Sequence, residues 1–331
     1  MIDLHFPEAF IQFLADHRSA PLTEFFLLMS FLGDVNGYIL IVTLVYVMFD
    51  KTFGVRVSIL VLLTMCLNHV LKIIIKNPRP FIREGTYLHE WAVSPRAARE
   101  LATEYSTPSG HAMTGGAFYT YVYLLGKNRY VRATAIAMLA LTGLSRPYLG
   151  VHYLEDITLG WAIGILVGVI VVRQAERITE QWARLSYRSQ VTIAIGFSLI
   201  LWFATVAING WRIDGQPRAF LGYAGFLTGI VIGQPLEIQL VDFDPRSSGL
   251  APKIARYLFS VAFVIALMEL LGAAARTVAA DFSIAGYLLQ YVRYTAAGVV
   301  SIFVAPLIFT AMGLADRADH HDSARIQGRV R

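Results

Sequence analysis

Three short polar segments, KIIIKNPRP at residues 72–80, PSGH at 108–111 and SRPYLGVHYLED at 145–156, stand at the ends of apolar stretches. They contain two histidines, arginines, lysines and an aspartate within a sequence that is 56% hydrophobic and 15% charged. Charged side chains are costly in a membrane environment and mark functional sites there. The pattern predicts that the three segments meet in one polar site at the end of a bundle of apolar helices.

The composition around these segments is that of a polytopic membrane protein. The chain has 331 residues and a mean hydropathy of +0.55, and a membrane-spanning helix needs roughly 20 apolar residues. The predicted fold is all-α, a transmembrane helical bundle. Nine apolar stretches meet the requirement, at about 22–49, 54–75, 110–126, 131–149, 153–172, 191–209, 219–236, 254–274 and 285–313.

The polar motifs divide the chain into two unequal parts, because all of them precede residue 173. The later apolar stretches form an added C-terminal helical lobe. The predicted organisation is an interfacial amphipathic helix at 1–20, a catalytic transmembrane core at 21–173, a cytoplasmic link at 174–189, the C-terminal lobe at 190–315 and a disordered tail at 316–331.

The charge distribution predicts how the chain lies in the membrane. The net charge is +5, and the Lys and Arg residues concentrate in loops that nine spans with an external N-terminus put on one side. This agrees with the positive-inside rule and argues against a nucleic-acid partner. We expect a bacterial inner-membrane protein whose polar site faces the periplasm or the exterior. The single Cys66 excludes an internal disulfide.

Lys72 and Arg79 belong to the first segment and are seven residues apart, which is about two helical turns. Both side chains can therefore point the same way. Pro78 and Pro80 flank Arg79, end the helix and stiffen the chain that carries the guanidinium. Lys76 is expected only to reach the headgroups.

The second segment begins an apolar helix. Ser109 can cap the helix N-terminus, and Gly110 lets a backbone amide approach an anion closely. The amides at a helix start favour phosphate, and His111 would sit beside that anion. A Ser-Gly cap without any ligand is the alternative interpretation, since such caps are common.

The third segment carries the most information. Arg146 ends one helix, and His152 and Asp156 are four residues apart, so that they share a face if the next helix begins near His152. Asp156 could then accept a hydrogen bond from Nδ1 of His152 and leave Nε2 as a nucleophile. A buried His–Asp pair that serves only packing is the alternative, and nearby cations and a second histidine favour chemistry.

Together the three segments resemble the type 2 phosphatidic acid phosphatase (PAP2) superfamily, whose pattern is K-x6-R-P, P-S-G-H and S-R-x5-H-x3-D. Every defined position of that pattern is matched between Lys72 and Asp156. The resemblance covers about residues 20–173. The nine-span layout also resembles glucose-6-phosphatases, which is weaker evidence than the motifs and does not identify a substrate.

The resemblance implies a metal-independent phosphatase that needs no cofactor. His152 would attack phosphorus and form a phosphohistidine, and Asp156 would orient it. His111 would protonate the leaving oxygen and then activate water. Lys72, Arg79 and Arg146, with the amides near Ser109 and Gly110, would stabilise the charge on the phosphoryl oxygens.

Three functions are compatible with these residues. The first is a phosphatase of lipid phosphates or isoprenyl diphosphates, such as undecaprenyl diphosphate, phosphatidylglycerol phosphate or phosphatidic acid. The second is a sugar-phosphate phosphatase, and the third is a transporter or structural membrane protein with a degenerate core. The loop 81–107 is less polar than a soluble sugar substrate would favour, and this favours a lipid substrate. The alternative is that its apolar residues anchor either kind of enzyme at the membrane interface.

Two features of the C-terminal lobe have no assigned function. Glu269 and Arg293 lie within predicted spans, and pairing with each other would reduce the cost of inserting them. We expect a structural ion pair rather than contact with substrate. Gly225 and Gly229 have the spacing of a helix-packing motif, which leaves a homo-oligomer open.

Overall fold

A computed structural model describes residues 8–211, 218–280 and 283–318. Within these ranges the fold is helical, and the only β pairing is an isolated bridge between Phe243 and Arg317. The prediction of an all-α membrane protein is confirmed.

The helices follow one another with short connections, apart from the segment between α4 and α7. They are α1 (Glu8–Asp16), α2 (Ala20–Leu32), α3 (Val35–Met48), α4 (Lys51–Ile75), α5 (Tyr87–Glu90), α6 (Pro95–Leu101), α7 (Gly110–Leu125), α8 (Arg129–Tyr148), α9 (Leu154–Ala183), α10 (Tyr187–Ile208), α11 (Arg218–Leu240), α12 (Leu250–Val278), α13 (Ile284–Val299), a π-helical turn (Val300–Val304) and α14 (Ala305–Ala311).

The described residues contain five helices that are long and apolar enough to cross a membrane, or six if α2 and α3 form one bent span. The bend between α2 and α3 is 62° and falls at Gly33 and Asp34, where the sequence interrupts its first apolar stretch. Helices occupy all nine predicted stretches, but α7, α8 and α11 fall outside that set of five. The nine-span layout therefore stays a prediction.

The half of the chain that contains the three polar segments is built on α7 and α9, whose backbones approach each other closely. A Cβ atom added at Gly164 of α9 would lie 2.1 Å from the carbonyl oxygen of Met113 on α7. Only glycine allows this separation. The close approach brings the N-terminus of α7 beside the N-terminus of α9, and it thereby joins the second and third polar segments.

Two apolar residues of the segment 76–109 are buried inside the fold and do not face a membrane interface. Phe81 and Trp91 are 4% and 3% exposed, because they pack in a cluster with Tyr148, Leu149 and Val151. The indole of Trp91 also donates a hydrogen bond to the carbonyl of Pro80 over 3.1 Å. The segment therefore folds into a cap that supports the connection before His152, and its composition says nothing about the substrate.

The predicted cytoplasmic link at 174–189 contains the end of α9, a short turn and the start of α10. Helix α9 continues without interruption for 30 residues to Ala183, and α10 starts at Tyr187. Charged residues such as Arg173 and Arg177 only lengthen α9 beyond its apolar part. Its continuation needs no tertiary partner because Gln, Glu, Arg and Ala all favour helix.

The C-terminal lobe repeats the close helix pairing in α11 and α13. A Cβ atom at Gly229 would lie 2.3 Å from the carbonyl oxygen of Thr295, and one at Gly225 would lie 2.5 Å from that of Tyr291. The glycine motif noted in the sequence is therefore used within the chain. Helix α11 also packs on α4, so the lobe is continuous with the core.

The two charges predicted to pair in the lobe do not do so. Glu269 is exposed, and among the described residues no ion pair joins it to Arg293. The guanidinium of Arg293 instead lies over Gly272, where an added Cβ would be 2.8 Å from its Cζ atom. Glycine at position 272 leaves space for the side chain of Arg293, which was predicted from the sequence to pair with Glu269.

The two ends of the chain are described only in part. Helix α1 covers residues 8–16 of the predicted interfacial helix, with Ile11 buried and Phe10 and Phe13 exposed; residues 1–7 lie outside the described ranges. At the other end, Ala318 and Asp316 hydrogen-bond to the backbone of Asp242 and Asp244. The rest of the predicted disordered tail lies outside the described residues.

Candidate active site

The three polar segments meet at a cavity of about 340 Å³. It lies between the C-terminal end of α4, the N-terminal end of α7, the C-terminal end of α8 and the bend between α2 and α3. Six of the eight predicted site residues line it, namely Lys72, Arg79, Gly110, His111, Arg146 and His152. The other two, Ser109 and Asp156, are buried behind this layer.

Lys72 and Arg79 are held by the end of α4 and the turn that follows. Lys76 ends the helix in the left-handed conformation, with φ of 55°, and its amide donates to the carbonyl of Lys72. Lys72 stays inside the last turn and is buried with its ammonium at the cavity. Arg79 lies beyond the turn, where it donates to the carbonyl of Val151 over 3.0 Å.

The contacts of His152 define its tautomer. Nε2 lies 2.8 Å from NH1 of Arg79, and a guanidinium can only donate. Nε2 must therefore present its lone pair, and the ring proton resides on Nδ1. That proton faces Oδ2 of Asp156 at 3.2 Å and Oγ of Ser106 at 3.1 Å. This is the tautomer that a nucleophilic Nε2 requires.

Asp156 is fully buried and accepts four hydrogen bonds. Besides His152, its carboxylate accepts from Ser106 Oγ at 2.5 Å, from the hydroxyl of Thr107 and from the backbone amide of Tyr153 at 2.9 Å. Several donors around one buried carboxylate satisfy its lone pairs and fix its orientation. The aspartate can therefore hold the imidazole in one position.

The cap 76–109 positions the two hydroxyls on Asp156. The amide of Ser106 donates to the carbonyl of Asn77 over 2.8 Å, and the side chain of Asn77 donates to Oγ1 of Thr107 over 2.9 Å. The side chain of Asn68 on α4 donates to the carbonyl of Pro108 over 3.0 Å. The loop before α7 is thus hydrogen-bonded to α4 through Asn68 and to the turn after α4 through Asn77.

Ser109 and Gly110 differ in what they offer to an anion. Ser109 caps α7, and its hydroxyl faces the amide of Ala112 at 3.5 Å. Its own amide donates to the carbonyl of Asp156 over 3.0 Å, so this amide joins two helices instead of facing the cavity. Gly110 lines the cavity. Of Ser109 and Gly110, whose amides were both predicted to bind phosphate, only Gly110 lines the cavity.

His111 and Arg146 face each other across a serine of α2. Ser30 Oγ lies 3.5 Å from Nε2 of His111 and accepts a hydrogen bond from NH1 of Arg146. Gly33, at the bend, lets the imidazole approach, since a Cβ there would be 3.2 Å from Cδ2 of His111. The bent pair α2–α3 therefore forms one wall of the catalytic cavity.

Glu104 places a carboxylate among the cations. Its Oε2 atom lies 2.9 Å from Nζ of Lys72 and 3.4 Å from NH2 of Arg79, and its carbonyl accepts from Nε of Arg79 over 3.2 Å. Burial acts to raise the pKa of this carboxyl, but Lys72 and Arg79 outweigh burial and lower the pKa to about 2. Glu104 is therefore an ionised partner of Lys72 and Arg79, the two cations that were predicted from the sequence to bind phosphate.

The electrostatic surroundings keep His152 neutral. Burial lowers the pKa of its imidazole well below the ordinary value, and the nearby cations Arg79, Arg146 and Lys72 lower that pKa further. A neutral ring carries the lone pair that a nucleophile needs. At neutral pH the nucleophile therefore does not have to lose a proton before it reacts.

Sequence reasoning missed Ser30, Glu104, Ser106 and Thr107. A usable signal existed for Ser106 and Thr107, because they directly precede the PSGH segment and hydroxyls often bond buried carboxylates. Glu104 and Ser30 come from a cap and a helix bend whose positions depend on the whole fold. Across residues 8–211, 218–280 and 283–318 no group of three or more His, Cys, Asp or Glu residues is arranged to hold a metal ion.

Comparison with known families identifies both halves of the chain. Residues 53–180 match the family described as the PAP2 superfamily, and residues 221–317 match a second one described as PAP2 superfamily phosphatase, transmembrane extension. The first range contains every predicted site residue. The second contains most of α11 and all of α12 to α14.

Several characterised proteins are similar to the chain. Sphingosine-1-phosphate phosphatase 1 of Mus musculus is 30% identical over 66% of this chain and 50% of its own length. Undecaprenyl-diphosphatase of Sulfolobus acidocaldarius is 31% identical over 40% and 61% of the two chains. Phosphatidylglycerophosphatase B of Bacillus subtilis is 32% identical over 34% and 53%. The chain thus spans about half the length of the curated relatives it matches.

Proposed function

The chain belongs to the PAP2 superfamily, and on that premise we propose that it is an integral membrane phosphatase of lipid phosphates or isoprenyl diphosphates. One observation carries the proposal. A neutral, oriented histidine, a second histidine and three cationic side chains line a single cavity at the end of apolar helices. The similar proteins named above are phosphatases of lipid or isoprenyl substrates.

The reaction that fits this geometry has two steps. First, Nε2 of His152 attacks phosphorus, and the bond from phosphorus to the leaving oxygen breaks. The leaving oxygen takes a proton from His111, and a phosphohistidine remains. Second, His111 takes a proton from water, and the oxygen of that water attacks phosphorus. Inorganic phosphate leaves, and His152 regains its lone pair.

The cations supply the electrostatic part of catalysis. Lys72, Arg79 and Arg146 would bind the equatorial oxygens and stabilise their charge in the transition state. NH1 of Arg79 contacts Nε2 of His152 over 2.8 Å. A substrate oxygen that accepts from Arg79 would release that nitrogen for attack. Substrate binding and activation of the nucleophile are therefore coupled through Arg79.

We also infer nine membrane crossings, with the site on the side opposite the basic loops. The site lies at the C-terminal ends of α4 and α8, whereas Lys51 and Arg129 begin these two helices. Arg177 likewise lies toward the far end of α9. The positive-inside rule then puts the basic ends in the cytoplasm and the cavity toward the periplasm or exterior.

The test is release of inorganic phosphate by purified protein in detergent. The substrates are a lipid phosphate monoester, an isoprenyl diphosphate and glucose 6-phosphate, and the control is His152→Ala. We expect release from at least one lipid substrate and none from glucose 6-phosphate. Near-normal hydrolysis by His152→Ala would overturn the mechanism. Preference for glucose 6-phosphate would favour the sugar-phosphate alternative.

A further inference from the structure

A second, narrower cavity of about 70 Å³ adjoins the catalytic one. Its walls are helices α3 and α4 on one side and α11 and α13 with the π-helical turn on the other. Three residues, Val35, Met65 and Tyr223, line both cavities. The two spaces are therefore neighbours along the same helices, and the second extends away from the phosphate site.

Helix α4 shows the direction in which the second cavity runs. Lys72, His69, Asn68 and Met65 line the catalytic cavity, and Met65, Leu62, Val61 and Ser58 line the second one. These positions follow one another at intervals of three and four residues and so form one face of the helix. From Lys72 to Ser58 this face is about 21 Å long at 1.5 Å per residue.

Helices α3 and α11 carry matching faces. On α3 the lining begins at Val35, beside the bend at the catalytic cavity, and continues through Ile39 and Thr43 to Tyr46. On α11 it passes from Phe220 in the catalytic cavity through Tyr223 to Phe226. All three helices lead from the polar site at the membrane surface toward the interior of the bundle.

The character of the walls changes along this path. The catalytic cavity is bounded by charged side chains, whereas the second cavity is bounded mainly by aliphatic and aromatic ones. Two hydroxyls in its wall already have internal acceptors: Ser58 donates to the carbonyl of Gly54, and Tyr46 donates to that of Ile302, each over 2.8 Å. Water gains little in such a space, and an apolar ligand fits it better.

We infer that the second cavity binds the hydrocarbon chain of the substrate while its phosphate occupies the cavity lined by Lys72, Arg79 and Arg146. This inference rests on the proposed function and extends it. It also gives the C-terminal lobe a role, since α11 and α13 supply one wall. The occupant is the tail of a single-chain or multi-chain phosphorylated lipid, inserted with its charged end at the membrane surface.

The first test blocks the cavity and varies the length of the substrate chain. In Gly222→Leu the added side chain meets the ring of Tyr294, since a Cβ would be 3.1 Å from Cζ. Thr43→Phe fills the cavity from α3 and serves as the second variant if Gly222→Leu does not fold. The matched control is Gly196→Leu on α10, where an added Cβ meets nothing within 4 Å.

The substrates are p-nitrophenyl phosphate and alkyl phosphates from hexyl to hexadecyl. If two methylene groups lose their place in the cavity, kcat/KM for the long chains falls about tenfold. The value for p-nitrophenyl phosphate stays unchanged, as do all values for Gly196→Leu. An equal loss for every chain length, or no loss in either folded variant, would overturn the inference.

The second test does not depend on turnover. His152→Ala is irradiated in the presence of a hexadecyl phosphate that carries a diazirine near the chain end, and the labelled peptides are mapped. We expect label on the facing parts of α3, α4 and α11, reduced in Thr43→Phe. Label confined to α10 or α12 would contradict the inference. A wild type that hydrolyses no phosphate while this label appears would contradict the proposed function alone.

Discussion

Helix pairs α7–α9 and α11–α13 pack in the same way but border different parts of the molecule. In both pairs a glycine of one helix touches a backbone carbonyl of the other, Gly164 against Met113 and Gly229 against Thr295. The first pair ends in buried polar groups, where Ser109 of one helix donates to Asp156 of the other. The second pair lines the second cavity through Gly222 of α11 and Tyr294 of α13.

The difference indicates how one chain can combine chemistry with lipid recognition. Reactive groups must be held within a fraction of an ångström, and a backbone-to-backbone contact is a rigid way to hold them. A hydrocarbon chain needs only an apolar surface of suitable width. The α7–α9 contact sets the positions of the proposed catalytic residues, and the α11–α13 contact shapes one wall of the second cavity.

Gly164→Leu is expected to have the largest effect. The new side chain would force α7 and α9 apart, because a Cβ at this position lies 2.1 Å from a carbonyl oxygen. We expect the free energy of unfolding to fall by about 3 kcal/mol or more, and we expect all phosphatase activity to be lost. Thermal unfolding and phosphate release are measured together, with Gly196→Leu as the matched control. A folded, active Gly164→Leu protein would show that the close α7–α9 contact is not needed to position the site residues.

Gly229→Leu tests the other pair. The new side chain would force α11 and α13 apart and lower the free energy of unfolding by about 1–3 kcal/mol. The substituted position does not contact the three polar segments. We expect hydrolysis of p-nitrophenyl phosphate to persist while hydrolysis of long-chain phosphates declines. The ratio of the two rates is the readout. If both rates vanish together in a folded protein, the two pairs do not have separate tasks.

Ser106→Ala would loosen the polar end of the first pair. The hydroxyl bonds both Asp156 and Nδ1 of His152, and a hydrogen bond to a charged group contributes about 2 kcal/mol. We expect a fall in kcat of about tenfold or more with little change in KM, and partial recovery in Ser106→Thr. The control is Ser94→Ala, at the exposed N-terminus of α6. An unchanged kcat would remove Ser106 from the set of positioning residues.

Glu104→Gln is expected to have the smallest effect, and in the opposite direction. The carboxylate forms ion pairs with Lys72 and Arg79, so a phosphate must displace it to bind these cations. Its removal should tighten inhibition by inorganic phosphate severalfold. The measurement is the inhibition constant of phosphate against turnover.

The pH dependence of this effect has a definite sign. Because the folded pKa is about 2, the carboxylate is ionised at every pH from 5 to 8, and the effect of Glu104→Gln should be constant there. The carboxylate would lose its charge only as the pH falls toward 2. Glu100→Gln, which removes an exposed partner of Arg96, should change nothing. Weaker inhibition in Glu104→Gln would show that the carboxylate supports the cations instead of competing for them.

The sequence was sufficient for the helices and for six of the residues that line the first cavity. Long apolar stretches have few structural alternatives in a membrane, and three motifs at their ends are brought together by any compact bundle. The spacing of four residues predicted the contact between His152 and Asp156, although α9 begins only at Leu154 and His152 lies just before it. These are local features, and local features can be read from a single sequence.

The remaining features depend on contacts between distant segments. The position of Glu104 requires the cap 76–109 to fold back over α4, and nothing in its own residues predicts this. Two aromatic residues of the cap, Phe81 and Trp91, are buried against residues 148–153, which their apolar character alone did not indicate. The lobe charge Arg293 was assigned a carboxylate partner, although the available space is at Gly272. Composition indicates that a side chain is apolar or charged, and only the fold determines what it touches.

The central claim is that Nε2 of His152 becomes phosphorylated during turnover. The most direct measurement mixes purified wild-type protein with a lipid phosphate carrying radiolabelled phosphate, stops the reaction within the first turnover and identifies the labelled peptide. We predict an acid-labile, base-stable label on the peptide that contains His152, and none in His152→Ala. Phosphate release by the wild type without any labelled protein, or a label that persists in His152→Ala, would contradict the account.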